Sequence, residues 1–170
     1  PQAQWIDVWA SDPLRGYARS RIITQAASYA VELADVTGDR IPDLVSRAFG
    51  DLRVLRGTHF RTFAGERAWD IGYAGWGELA LGDVDADGDI DAATSLPDAD
   101  EIATLLNDSA GEFAPCPDRI ICGEPEMVRL SDLDGDGVPE LLALCRLDST
   151  LRVWRNTAAQ TRPEAARPAR

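Results

Sequence analysis

The sequence predicts an all-β fold built from repeated units of short antiparallel strands. Three aspartate-rich segments align without gaps, and their first aspartates, Asp35, Asp83 and Asp132, are 48 and 49 residues apart. On both sides of each segment, apolar and polar residues alternate with the period of two that is typical of half-buried strands. A repeat period near 50 residues is typical of propeller or solenoid proteins.

Each unit contains the same predicted strands, named A to D. Strand A precedes the acidic segment and carries alternating apolar residues, such as Val31 and Leu33 in the first unit. Strands B, C and D follow it, and D has the loosest boundaries. The predicted ranges are 44–48, 92–96 and 141–145 for B, 52–56, 103–107 and 151–155 for C, and 60–64 and 113–116 for D.

The chain reads as one repeat domain over residues 1–157. Complete units have cores at 29–64 and 77–116, and a third unit at 126–157 contains A, B and C. Residues 4–24 fit the same register as a half unit of C and D strands, because 6–10 matches 151–155. The tail 158–170 has no apolar periodicity, so we expect it to be disordered.

The amino-acid composition limits the classes of function that the protein can have. The 170 residues suffice for a sizeable core, and the formal net charge of −12 argues against a nucleic-acid partner. No apolar run is long enough to span a membrane. Twelve of the 29 acidic residues lie in the three repeated loops, which points to bound cations.

The loops have the pattern D-x-[DT]-x-D-x-x-x-[DE], which supplies side-chain oxygens at positions 1, 3, 5 and 9 and a backbone carbonyl at position 7. Alternate residues of a tight loop point inward, so these oxygens converge. Oxygen ligands in a flexible cage favour Ca²⁺, and three sites are predicted. The ligands are Asp35, Thr37, Asp39, Ile41 and Asp43, then Asp83, Asp85, Asp87, Asp89 and Asp91, then Asp132, Asp134, Asp136, Val138 and Glu140.

Two alternatives to these sites are weaker. An EF-hand needs a glutamate at position 12 and helical flanks, whereas position 12 holds Ser46, Thr94 and Ala143 and the flanks alternate as strands. A solvated acidic turn explains one loop better than three in register. Glycines at position 6 of the second and third loops permit a left-handed turn, whereas Arg40 predicts strain or another turn in the first.

The loops resemble FG-GAP repeats, also called VCBS-like repeats, which occur in integrin α-subunit propellers and in many bacterial secreted proteins and lectins. The resemblance covers roughly residues 4–157 and rests best on DVDADGDID (83–91) and LLNDSAGEF (105–113), with Phe49-Gly50 as a faint match to the name motif. It implies propeller blades of four antiparallel strands, about three and a half per chain, with Ca²⁺ in each A–B loop. Thr37 departs from the usual Asp or Asn, which implies a weaker first site.

No catalytic motif is recognisable, so the sequence favours a binding module with structural calcium, for a carbohydrate or protein ligand. The alternative is a polysaccharide-acting enzyme or a structural spacer on the same scaffold. Trp69, Tyr73 and Trp76 lie in a glycine-rich connection and suit sugar binding, although packing between blades explains them too. Trp9 and Trp154 occupy matching C-strand positions and are expected to pack. The single histidine, His59, reads as a surface turn residue.

The resemblance and the first residue, Pro1 rather than methionine, lead us to expect a secreted, extracellular protein. Cys116 and Cys122 bracket a short segment and can close a disulfide loop, or all three cysteines are reduced, and Cys145 reads as a buried free thiol. Propellers close with four to eight blades. The chain is therefore either part of a longer propeller or half of a homodimer in which the first strands of one copy complete the last blade of the other.

Overall fold

The computed structural model describes residues 4–12, 16–59, 62–72 and 75–158. These stretches are built from β-strands, with one 3-10 turn at Pro97–Ala99, and none of their helical segments is long and apolar enough to cross a membrane. The strands are β1 (Gln4–Asp12), β2 (Gly16–Thr24), β3 (Ser28–Ala34), β4 (Asp43–Ala48), β5 (Asp51–His59), β6 (Thr62–Asp70), β7 (Leu79–Gly82), β8 (Asp91–Leu96), β9 (Glu101–Asn107), β10 (Phe113–Pro115), β11 (Ile120–Ile121), β12 (Pro125–Ser131), β13 (Glu140–Cys145) and β14 (Thr150–Trp154).

The strands of the described residues form one two-stranded ribbon and three sheets, and all of their pairings are antiparallel. The ribbon is β1–β2, the first sheet is β3–β4–β5–β6, and the third sheet is β12–β13–β14. The second sheet has the order β7–β8–β9–β10, and β11 also pairs with β9. The all-β prediction is confirmed, and each sheet follows the predicted order of strands along the chain.

Two apolar cores hold the three sheets against one another. Val45, Leu52 and Val54 of the first sheet pack with Ala92 and Leu105 of the second. The other face of the second sheet, where Ala93 is fully buried, packs on the third sheet. Every residue of β4 and β8 is buried, whereas β13 is buried on one face and leaves Leu144 40% exposed on the other. Small side chains in β8 allow the neighbouring sheets to approach it closely.

The fourth strands differ from their predicted ranges. In the first sheet this strand, β6, continues to Asp70, so Trp69 lies in a strand and not in the connection, while Phe60 lies outside the described residues. In the second sheet the fourth strand is interrupted: β10 ends at Pro115, and β11 pairs with the other end of β9. Pro115 and Pro117 lack the N–H group that a continuous ladder needs.

The cysteine predictions are wrong. The disulfide joins Cys122 to Cys145, with Cα atoms 5.2 Å apart, and Cys116 is free. Neither a Cys116–Cys122 loop nor a free Cys145 thiol occurs. The reason is strand register, because β12 runs antiparallel to β13 and places Pro125 opposite Cys145, which brings the nearby Cys122 within bonding range.

Trp9 does not pack as expected. Its side chain is 59% exposed on the ribbon, where the Arg19 guanidinium lies 5.8 Å from the ring centroid. Trp5, on the same face, is 53% exposed, with Arg21 over its ring. Trp154, at the matching place in the third sheet, does pack against the second core.

Candidate metal centres

The three acidic loops lie at the same end of the three sheets, between β3 and β4, β7 and β8, and β12 and β13. Each loop has nine residues, numbered here as positions 1 to 9, and its backbone is left-handed at positions 4 and 6. The φ angles at position 4 are 71° for Gly38, 66° for Ala86 and 78° for Gly135, and at position 6 they are 67° for Arg40, 104° for Gly88 and 91° for Gly137. The expected turn at position 6 therefore occurs in all three loops, with Arg40 adopting it at a steric cost. The second left-handed residue, at position 4, was not anticipated, although two glycines in register there are a usable signal.

The aspartate at position 1 braces each loop from within. Asp83 Oδ1 accepts a hydrogen bond from Asp87 N at 3.1 Å, and its Oδ2 accepts one from Gly88 N at 3.0 Å. Asp35 accepts the equivalent pair of bonds, from Asp39 N and Arg40 N. In the third loop Asp132 also accepts from position 6, Gly137 N, but its other bond comes from position 4, Gly135 N. The aspartate at position 5 accepts a hydrogen bond from the backbone N–H group at position 7. In the second loop, Asp87 Oδ1 accepts from Asp89 N at 2.9 Å. These bonds hold the carboxylates in a fixed arrangement.

In the second and third loops, positions 1, 3 and 5 bring three carboxylates together. The triplets are Asp83, Asp85 and Asp87, and Asp132, Asp134 and Asp136, each with ligand atoms within 4.8 Å of one another. Oxygens around one Ca²⁺ at 2.3–2.6 Å are at most about 5 Å apart, so both triplets have the size and the chemistry for such an ion. Two of the three predicted sites thus have clusters that can hold a metal ion.

The first loop lacks a third carboxylate because position 3 is Thr37. The Thr37 Oγ1 atom is buried without a hydrogen-bond partner among the described residues, so an oxygen is available where the other loops have an aspartate. A buried hydroxyl without a partner is costly, and a cation would satisfy it.

The acidic residues at position 9 are buried, and they bond backbone N–H groups at the start of the loop and, in the first two sheets, on the third strand. Asp91 Oδ2 accepts from Val84 N and its Oδ1 from Asn107 N, both at 2.8 Å. Asp43 likewise bonds backbone N–H groups, and Glu140 bonds Leu133 N. These residues tie the start of each loop to the strands behind it, and they are outside the triplets. Burial raises the pKa of Asp91 to about 6, against the opposing effect of its two backbone donors. The second oxygen of Glu140, Oε1, is buried without a hydrogen-bond partner among the described residues.

Arginines from the third strand of a sheet distinguish the loops electrostatically. Arg56 bonds Asp39 at 2.8 Å and holds the pKa of that carboxyl below its usual value. Arg155 bonds Asp134, also at 2.8 Å. The strand pairing places Leu106 at the same point of the second sheet, so the second loop has no such arginine.

The carboxylates of the second loop therefore act mainly on one another. Burial, and then the Asp87 carboxylate, raise the pKa of Asp85. The hydroxyl of Ser109 donates to Asp89, the residue at position 7. Sequence reasoning missed both arginines, although aligning the ends of the predicted C strands would have placed them in register. A divalent cation has the least competition in this loop.

Trp69 and Trp76, which were proposed with Tyr73 as a ligand platform, pack against different aromatic rings. Trp69 packs edge-on to Phe113, with centroids 5.4 Å apart, and belongs to the first core, so the packing alternative holds for this ring. Tyr73 lies outside the described residues. Trp76 is 73% exposed and stacks on Tyr29 at a centroid distance of 4.9 Å, at the end of the sheets opposite the acidic loops.

Comparison with known proteins gives little. No protein-family model matches the chain, and no curated protein matches it. Among solved structures, a match covers 71% of the chain at 18% identity and a TM-score of 0.48, to the structure titled "Crystal Structure of TcdB2-TccC3 without hypervariable C-terminal region". The chain spans 6% of the length of that chain.

Proposed function

We propose that this protein is a calcium-binding module of the FG-GAP type, in which the sheets are propeller blades and each acidic loop takes one Ca²⁺. The observation that carries the proposal is the convergence of Asp83, Asp85 and Asp87 within 4.8 Å, without an arginine from the neighbouring strand. Three carboxylates at this separation repel one another strongly unless a cation lies between them. Oxygen donors on a short flexible loop favour Ca²⁺ over softer metals.

The role of the calcium is structural. The position-1 carboxylates bind the loop backbone, and the position-9 carboxylates bind the neighbouring strands, so an ion at positions 1, 3 and 5 stabilises the hairpin that joins the first two strands of each sheet. The module binds a carbohydrate or protein ligand, which the exposed face of Trp76 favours.

The disulfide supports an extracellular location. Cys122 and Cys145 are both almost fully buried and bonded, and such bonds persist in oxidising compartments. We therefore place the protein outside the cytosol, as a secreted module.

The exposed outer face of the third sheet, β12–β13–β14, favours self-association. Leu144, Leu151 and Val153 lie on the outer face of the third sheet and are 40%, 59% and 51% exposed. The second strands of the other two sheets, β4 and β8, are buried on both faces. A second copy that places its own sheet or ribbon here extends the stack and completes the propeller.

The test of the calcium proposal is thermal unfolding of the protein in EDTA and in excess Ca²⁺. Saturation at about 100 times Kd adds about 2.7 kcal/mol per site, so calcium raises the melting temperature by several degrees. The variant Asp85→Asn/Asp87→Asn loses the part of this increase that the second site contributes, whereas Asp108→Asn/Asp118→Asn, with the same charge change outside the triplets, retains the whole increase. An unchanged melting curve together with no metal by elemental analysis contradicts the proposal.

A further inference from the structure

A groove of about 630 Å³ opens at the end of the sheets opposite the acidic loops. The turns that connect the second and third strands of all three sheets contribute to it, whereas the acidic loops connect the first and second strands. Its volume is in the range of sites that bind small ligands or a few residues of a peptide. Residues from these turns and from the segments before β7 and β12 line it, among them Phe49, Trp76, Asp98, Asp100, Glu124 and Arg146.

One wall of the groove is aromatic and held in place. Trp76 stacks on Tyr29, with centroids 4.9 Å apart and planes at 37°, and Tyr29 meets Phe49 edge-on at 4.7 Å. The buried Arg47 donates to the Gly75 carbonyl at 2.8 Å and so fixes the backbone next to the indole. Trp76 is nevertheless 73% exposed, so it presents a fixed aromatic face to the solvent.

Four carboxylates also line the groove, from Asp98, Asp100, Glu124 and Glu126. Arg146 forms ion pairs with Glu124 and Glu126, so it offsets one of the four negative charges. Asp98 lies beside the residue that precedes Trp76, because a Cβ atom at Gly75 would lie 2.7 Å from Asp98 Oδ2, and its carboxylate also interacts electrostatically with the buried Arg47. Asp100 Oδ1 accepts from Glu124 N at 2.8 Å, which orients its carboxyl group.

We infer that this groove binds a basic side chain, arginine or lysine, of a protein partner. The guanidinium or ammonium group lies over the face of Trp76 and pairs with Asp98 and Asp100. Cations are attracted both by an aromatic face and by carboxylates, and the groove places the two beside each other. Anionic ligands are repelled by the net negative charge of the groove, and a cation gains a Coulomb attraction to the carboxylates that a neutral sugar lacks. The overall charge of −12 steers a basic partner toward the protein.

The inference rests on the ligand-binding part of the proposed function and is independent of the calcium part. The test is NMR titration of the calcium-loaded protein, monitoring the indole N–H signal of Trp76, assigned by its loss in Trp76→Phe. The probes are Ac-Gly-Arg-Gly-NH₂, its lysine analogue and the citrulline analogue, which has the shape of the arginine peptide without its charge. We expect saturable shifts with the two basic peptides, weaker at high salt, and none with citrulline.

Two variants locate the site. Trp76→Ala and Asp98→Asn/Asp100→Asn each lower the affinity by about fivefold or more, as loss of a cation–π contact or of paired charges predicts. Trp9→Ala and Asp108→Asn, which change exposed residues elsewhere, leave the affinity unchanged. For the Trp76→Ala variant, where the reporter is lost, backbone amide signals of the groove give the affinity.

Three outcomes overturn the inference. These are equal shifts with arginine and citrulline peptides, shifts of Trp76 with neutral monosaccharides in place of peptides, or no response to any probe. The melting temperature in EDTA and in Ca²⁺ is measured on the same samples. A normal calcium response with no peptide response therefore rejects the groove assignment alone.

Discussion

The side-chain amide of Asn107, at the end of the second sheet, donates a hydrogen bond of 2.8 Å to the backbone carbonyl of Val36 in the first acidic loop. The same amide donates to Ile90 O in the second loop, and Asn107 Oδ1 accepts from Gly111 N. Asn156 repeats the arrangement one sheet later, with bonds to Val84 O and Pro139 O. Each asparagine therefore ties one acidic loop to the next.

Replacing the first of these asparagines should loosen two loops at once. Asn107→Ala removes a buried amide and leaves the carbonyls of Val36 and Ile90 without a donor, which costs about 2–4 kcal/mol. Asn156→Ala should cost less, because Asn156 is half-buried and water can replace its amide. Urea unfolding in EDTA measures both. A smaller loss for Asn107→Ala than for Asn156→Ala contradicts the assigned roles.

The calcium sites should differ in strength. We expect Asp85→Ala to remove more calcium-dependent stability than Asp134→Ala, because Arg155 already pairs with Asp134. Thr37→Ala should remove least, because the first loop has fewer carboxylates and Arg56 at Asp39. The difference between the melting temperatures in Ca²⁺ and in EDTA gives the ranking. Equal losses in the three variants would count against it.

Removing the competing arginine should strengthen the third site. Arg155→Leu places in the third sheet the residue that the second sheet has at Leu106, and frees Asp134 to bind metal. We expect calcium affinity at this site to rise about two- to fivefold, the size of an exposed ion pair. Arg152→Leu is the matched control, because it removes the same charge from a side chain that pairs with Asp148. Equal effects of the two variants in calorimetric titration would show that only net charge matters.

The strained turn of the first loop offers a stabilising substitution. Arg40 has φ +67°, which costs a side chain with a Cβ atom about 1–2 kcal/mol relative to glycine. Part of this is offset by the greater freedom of glycine in the unfolded chain, so Arg40→Gly should stabilise by about 0.5–1 kcal/mol in EDTA. The reverse change in the third loop, Gly137→Ala, should destabilise by a similar amount. Destabilisation by Arg40→Gly would mean that the arginine side chain supports the loop.

The disulfide should contribute measurably to stability. Cys122 and Cys145 close a loop with a sequence separation of 23, which corresponds to about 3 kcal/mol in the chain-entropy account. We expect Cys122→Ala/Cys145→Ala to lose about this much, and Cys116→Ala to change little. Thiol titration of the unfolded, unreduced protein should find Cys116 alone reactive. A reactive Cys145 under these conditions would contradict the pairing.

The features that could be predicted from the sequence are those set by residues close together along the chain. The acidic loops and their flanking strands follow from residues that are adjacent in the sequence, so the strand series and the position-6 turns were predicted. The pairing of Cys122 with Cys145, and of Arg155 with Asp134, depends on which strand lies beside which. Trp69 was misplaced for the same reason, because its neighbour Phe113 belongs to another sheet.

Self-association can be tested at the outer face of the third sheet. Val153→Arg places a charge in the centre of the exposed apolar patch and should yield a monomer, and deletion of residues 1–24 should abolish association or make the protein insoluble. Arg152→Glu, next to Val153 in the same strand, is the control. Light scattering coupled to size exclusion measures the mass. A well-folded wild-type monomer near 18.5 kDa contradicts the homodimer.

Arg56, within β5, and Arg155, directly after β14, have a practical consequence for the transfer of one of these sites to another protein. The nine-residue loop carries the carboxylates, but the residue that sets how freely they accept an ion lies on a separate strand, as Leu106 and Arg155 illustrate. A grafted loop alone would supply the metal ligands without the third-strand residue that modulates their charge. The smallest portable unit is therefore the hairpin together with its third strand, and a designer can adjust affinity at that strand while the loop sequence stays constant.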